Sequence, residues 1–150
     1  NDNHIVFYDR QTGTLLTGDF LLPGRVTVAD TDAFRASARR LAAFVRDRPV
    51  ARVLGGHVEM DKAGHLYPQG ATHHPDERRL ELAKSDVFAL SSAMDEFNGF
   101  YSPRGNFVIT HPIHNLAAFA AGAVLVLGGL AWVIVRAIRR RRRARAARPD

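Results

Sequence analysis

The feature that most constrains this chain lies near its end. Residues 116–135 are twenty consecutive positions without a charge, and their only side-chain hydrogen-bond donor is the indole of Trp132. At about 1.5 Å per residue a helix of that length measures about 30 Å, the hydrocarbon thickness of a bilayer. A water-soluble fold would have to surround such a helix on every side, and a region of about 110 residues has no interior that long. A transmembrane helix is therefore expected over 116–135. Gly122, Gly128 and Gly129 suit it, since glycine is common in membrane helices, and Trp132 stands near Arg136 where an indole fits the headgroup boundary.

The two flanks of the span set an expected orientation. Arg136, Arg139, Arg140, Arg141, Arg142, Arg143, Arg145 and Arg148 crowd the tail, whereas residues 110–115 before the span contain no lysine or arginine. The positive-inside rule then puts the tail, 136–150, in the cytoplasm and the preceding residues on the exoplasmic side of a cell membrane. The same arginines are suited to anionic lipid headgroups. They also account for the basic balance. The chain has 21 Lys+Arg and 15 Asp+Glu, and setting aside the tail's eight arginines and Asp150 leaves 13 against 14. A specific nucleic-acid partner, which needs basic residues spread over a folded surface, is not expected.

The chain has no cysteine, which excludes disulfides and thiolate metal sites. It begins Asn-Asp-Asn without a signal peptide, so an exported domain is expected to have had its targeting segment upstream.

The region before the span reads as mixed α/β. Residues 4–8 are β-branched and aromatic, 9–13 form a turn cluster, and 14–17 give a second short strand, so a hairpin is expected. Pro23-Gly24 marks a loop. Asp30 to Asp32 offers helix caps before Phe34, Ala38, Leu41, Ala42 and Val45, which share one helical face. Pro49 stops that helix, and 50–54 is an apolar strand ending in Gly55-Gly56-His57. Strand, helix, strand predicts a parallel pair. Residues 58–79 read as loop, Ser85 as the cap of a helix over about 86–97 with Val87, Leu90 and Met94 buried, and 107–110 as a short strand before Pro112.

Asp19 and His57 then fall beyond the carboxyl ends of parallel strands, the edge of an open α/β sheet where ligands bind. A carboxylate and an imidazole there suit a metal pair, or simply a turn aspartate and a strand-end histidine. The sequence His-Ile-Val-Phe-Tyr-Asp-Arg-Gln-Thr-Gly-Thr-Leu-Leu-Thr-Gly-Asp at 4–19, with Val-Leu-Gly-Gly-His at 53–57, resembles the metallo-β-lactamase-fold hydrolases. In that superfamily one strand ends in Leu-[Phe/Leu]-Thr-Gly-Asp and a later one in Gly-x-His or Gly-His. The resemblance implies that Asp19 bridges two metal ions and that His57 binds the second. It covers residues 1–100 and implies the C-terminal half of an αββα sandwich, with 101–115 as a juxtamembrane segment.

The superfamily's His-x-His-x-Asp-His motif and the glycine-histidine pair that supplies a further ligand are absent from this sequence. The chain reads as starting just after that pair, with His4 a strand residue rather than a ligand. Since a catalytic zinc takes about three protein ligands, residues 1–150 alone are expected to be inactive and to bind zinc weakly. The implied cofactor is zinc, two ions in the complete domain, with iron or manganese also compatible with these ligands. The implied partner is a small-molecule substrate. Glu59 is a candidate for orienting His57 or lining the rim of the site, and His73 and His74 for a loop over its mouth. His111 and His114 read as juxtamembrane residues. The alternative function is a non-catalytic, membrane-tethered binding protein with a degenerate version of the same fold.

Overall fold

The computed structural model describes residues 4–146. In chain order the elements are β1 (Phe7–Asp9), β2 (Thr14–Gly18), β3 (Arg25–Thr27), α1 (Thr31–Val45), β4 (Arg52–Gly55), β5 (Glu81–Leu82), α2 (Lys84–Glu96), β6 (Tyr101–Pro103), β7 (Val108–Thr110) and α3 (Pro112–Ala146). Two compact units result, one ending at Ile113 and the other beginning at His114.

The hairpin forms because its turn satisfies itself locally. The Asp9 carboxylate accepts from the Gln11 N–H at 2.9 Å and from the Thr12 hydroxyl at 2.6 Å. The Thr12 hydroxyl, then the Gln11 amide, holds this carboxyl below its ordinary value. β1 pairs antiparallel with β2, Phe7 opposite Leu16. It begins at Phe7 rather than at His4, which is exposed ahead of the strand.

β2 pairs in parallel with β4, and β4 antiparallel with β5, giving a sheet of order β1-β2-β4-β5. Alternation divides its side chains cleanly. Tyr8, Leu15, Val53 and Leu82 lie in register on one face and belong to or pack on the buried core. On the other face Phe7, Leu16 and Leu54 form a second row, with Phe7 61% and Leu16 44% exposed. The connection from β2 to β4 holds α1, as the pattern requires, and also β3, where the sequence reads only a loop at Pro23-Gly24. β3 leaves for a second sheet, order β3-β7-β6.

α1 starts where Asp30 caps it: its carboxylate accepts from the Asp32 and Ala33 amides at 3.0 and 2.9 Å. Ala38, Leu41, Ala42 and Val45 are its buried stripe. The end of α1 is tied down from a distance, because the Lys84 ammonium donates to the Arg46 and Arg48 carbonyls at 2.9 and 2.8 Å. α2 begins one residue before Ser85, which therefore lies within the helix rather than capping it. Asp86 does that work from inside. Its carboxylate accepts from the Ala83 amide at 2.8 Å and from the Asn106 side chain at 2.7 Å, joining the helix start to the turn before β7. Val87, Leu90 and Met94 are buried as expected.

Residues 101–110, apart from 107–110 not expected to be regular, form the antiparallel β6–β7 pair; β7 also pairs in parallel with β3. Phe107 and Ile109 are fully buried in the same cluster as Leu15 and Val53, so this stretch belongs to the core of the first unit. His111 is buried too, whereas the side chain of His114 lies outside the described residues. Residues 58–79 carry turns and two isolated bridges, Met60 with Leu66 and Asp61 with Glu77.

α3 is a helix long and apolar enough to cross a membrane over Leu116–Arg140, and its apolar window is not buried at all against protein. Phe119 is 77% and Leu125 76% exposed. Arg148 lies outside the described residues.

Candidate functional site

The site is built by an irregularity in the parallel pair. Leu16 faces Leu54 and Gly18 faces Gly55, so Thr17 is an extra residue on β2 and the ladder bulges there. Thr17 turns inward and is fully buried, with its hydroxyl 2.6 Å from the Leu21 carbonyl and 3.1 Å from that of Leu54. Gly18 comes next at φ +54, a left-handed conformation that turns the chain sharply out of the strand. Its carbonyl accepts from the Gly56 amide at 2.9 Å, and the Thr17 carbonyl from Phe20 at 3.0 Å. Asp19 is thereby fixed just beyond β2, next to the chain leaving β4.

Gly55 and Gly56 let the two segments meet. A β-carbon on Gly55 would lie 2.6 Å from Leu22 Cβ and 2.8 Å from its Cα, and one on Gly56 would lie 2.9 Å from Asp19 Oδ1. His57, next along, brings Nδ1 to 3.4 Å from Asp19 Oδ1. Its other nitrogen, Nε2, is 3.2 Å from Glu59 Oε1. The imidazole thus sits between two carboxylates, and both His57 and Asp19 are open to solvent, 50% and 63% exposed.

Glu59 is held in turn by Arg25. Its Oε2 accepts from the Arg25 backbone amide at 2.9 Å and from the guanidinium at 3.3 Å, and the same guanidinium donates to the Tyr67 carbonyl. Burial pushes the Glu59 carboxyl upward, but the Arg25 amide, the His57 hydrogen bond and the Arg25 and His57 charges together bring it below its ordinary value. Glu59 is therefore an anion that orients His57. Arg25 was not legible as part of this site, because it acts through β3, whose pairing is with a strand more than 80 residues away in sequence.

His73 and His74 are not brought to this point. His74 stacks on Tyr67 with ring centroids 4.4 Å apart, and its nitrogens meet Glu77 Oε2 at 3.1 Å and the Ala71 carbonyl at 3.0 Å. It holds its own loop together. His73 is exposed, and neither histidine lines the groove beside the site. That groove, about 1180 Å³, runs from Asp19, His57 and Glu59 along α1 past Phe34, Arg40 and Phe44.

The donor chemistry of Asp19 and His57, one oxygen and one nitrogen with a carboxylate behind the imidazole, suits zinc or a similar ion. The number of donors does not complete a site. Among the described residues no group of three or more His, Asp or Glu side chains is placed to hold a metal ion. Comparison with family models, with curated proteins and with solved structures found no match to this chain.

Proposed function

We propose that this chain contributes the aspartate–histidine part of the centre of a membrane-anchored, metal-dependent hydrolase of the metallo-β-lactamase superfamily, acting on a small-molecule substrate. The observation that carries the reading is the meeting of Asp19 and His57 at the ends of neighbouring parallel strands, 3.4 Å apart, with Glu59 fixing the imidazole from behind. The sheet supports it as well. Its partly exposed apolar row of Phe7, Leu16 and Leu54 is a surface on which a second sheet of an αββα sandwich would pack.

When bound, two zinc ions would activate a water molecule and stabilise the oxyanion that develops as an acyl or phosphoryl bond is cleaved. The residues of this chain do the holding. Asp19 and His57 would hold the metal through a carboxylate oxygen and an imidazole nitrogen, while Glu59, itself held by Arg25, orients the ring of His57. The groove along α1 receives the substrate. α3 spans the bilayer, with the arginine tail cytoplasmic and the site on the exoplasmic side, which favours substrates at or near the membrane.

Metal analysis of the protein purified from its native membrane tests the proposal. About two zinc ions per molecule are expected for a full-length protein that carries the remaining ligands, with a clear loss on Asp19→Ala. No metal in either protein overturns it. The rival reading, a tethered binding protein without catalysis, stands in that case.

A further inference from the structure

At the C-terminal end of the span Trp132, Arg136, Arg139 and Arg140 succeed one another at steps of four, three and one, which places all of them on one side of α3. The guanidinium of Arg136 lies over the indole, 5.0 Å from the ring centroid. A shallow hollow of about 360 Å³ opens among these side chains and Val135. α3 contains no aspartate or glutamate, and among the described residues none of these arginines forms an ion pair. Among the described residues nothing supplies these arginines with a counter-anion, which leaves them open to an anion from outside.

We propose that this face is a clamp for the phosphate of an anionic phospholipid headgroup. An indole prefers the boundary between hydrocarbon and headgroups. Fixed there, Trp132 sets the depth of the helix, and its ring leaves the Arg136 guanidinium edge directed toward the headgroup layer. Arg139 and Arg140 lie about one turn further on, within reach of the same phosphate. Guanidinium forks match phosphate oxygens in pairs, which gives geometric selection beyond a diffuse charge. The clamp rests on α3 spanning a bilayer, and it is independent of the metal centre.

Trp132 is the only tryptophan in the chain, so its emission reports this position alone. The full chain, reconstituted into phosphatidylcholine vesicles doped with a dansyl-labelled lipid, transfers energy from Trp132 to the probe. Transfer to dansyl-phosphatidylglycerol is expected to exceed transfer to dansyl-phosphatidylcholine by about fivefold, the discrimination that one well-placed arginine supplies. R136Q/R139Q/R140Q abolishes the preference. R141Q/R142Q/R145Q, which removes as many charges, retains most of it. Equal loss in the two variants overturns the clamp in favour of diffuse attraction. Displacement of the probe by millimolar inorganic phosphate or by a single-stranded oligonucleotide overturns it in favour of a soluble anion. Co-flotation with the vesicles is recorded in the same samples. Co-flotation without a headgroup preference overturns the clamp alone, and no co-flotation overturns the span and the clamp together.

Discussion

Asp19 Oδ1 stands against the bare α-carbon of Gly56, where an added β-carbon would lie only 2.9 Å away. The two glycines at the end of β4 therefore have different tasks. Gly56 makes room for the end of a side chain that can swing into solvent, whereas Gly55 makes room for the backbone of Leu22, which cannot move without the turn between β2 and β3. Gly56→Ala is expected to leave stability within about 0.5 kcal/mol while displacing Asp19. Gly55→Ala is expected to cost about 1–3 kcal/mol. Denaturant unfolding of both variants separates them, and equal stability losses would contradict this division.

Thr17 lies under the same turn. Replacement by valine keeps the shape but leaves the Leu21 carbonyl, and in part that of Leu54, without its donor inside the core. A loss of about 1–3 kcal/mol is expected, read from the unfolding midpoint at unchanged m-value. Thr17→Ser, which keeps the hydroxyl, should recover most of it.

Much of this was legible in the sequence, for reasons that particular residues show. The caps offered by Asp30 to Asp32 and the stripe from Phe34 to Val45 are local signals, and in α1 Asp30 takes the cap, Ala38, Leu41, Ala42 and Val45 are buried, and Phe34 is partly so. The Thr-Gly-Asp and Gly-Gly-His ends announce the β2 and β4 edge because glycine and polar residues break an apolar run. β3, β5 and β6 announce nothing: each is two or three residues long, and its regularity exists only because a partner distant in sequence pairs with it. The same limit explains the site. Asp19 and His57 sit in motifs, and Glu59 is two residues from one. Arg25 enters only through the fold, as does the occupation of His74 by Tyr67 and Glu77.

The Glu59 carboxyl is depressed in the folded protein, so it favours folding most above its unfolded value and loses that contribution as pH falls. With an ordinary value of 4.5, the loss runs from just above that pH downward through the lowered folded value. Glu59→Gln should flatten the acid limb of a stability–pH profile between about pH 5 and 3 relative to wild type. Arg25→Ala should weaken the depression of the carboxyl without removing it, since the guanidinium charge goes while the backbone amide at position 25 and His57 remain. A wild-type and Glu59→Gln pair with parallel acid limbs would show that the Glu59 carboxyl is not depressed by folding.

The absence of cysteine turns the orientation into a direct measurement. Gln69 is exposed in the loop between β4 and β5, so Gln69→Cys introduces one accessible thiol without touching the core or the Asp19–His57 pair. If the arginine tail is retained in the cytoplasm, a membrane-impermeant maleimide labels this thiol in intact cells. Val126→Arg in the same background places a charge at the middle of the span, where insertion costs about 2.5–3.5 kcal/mol. It should release the protein from the membrane on carbonate extraction. Labelling only after lysis would reverse the topology and put the candidate metal site in the cytoplasm. Release of the unsubstituted chain by carbonate would show that α3 does not span at all.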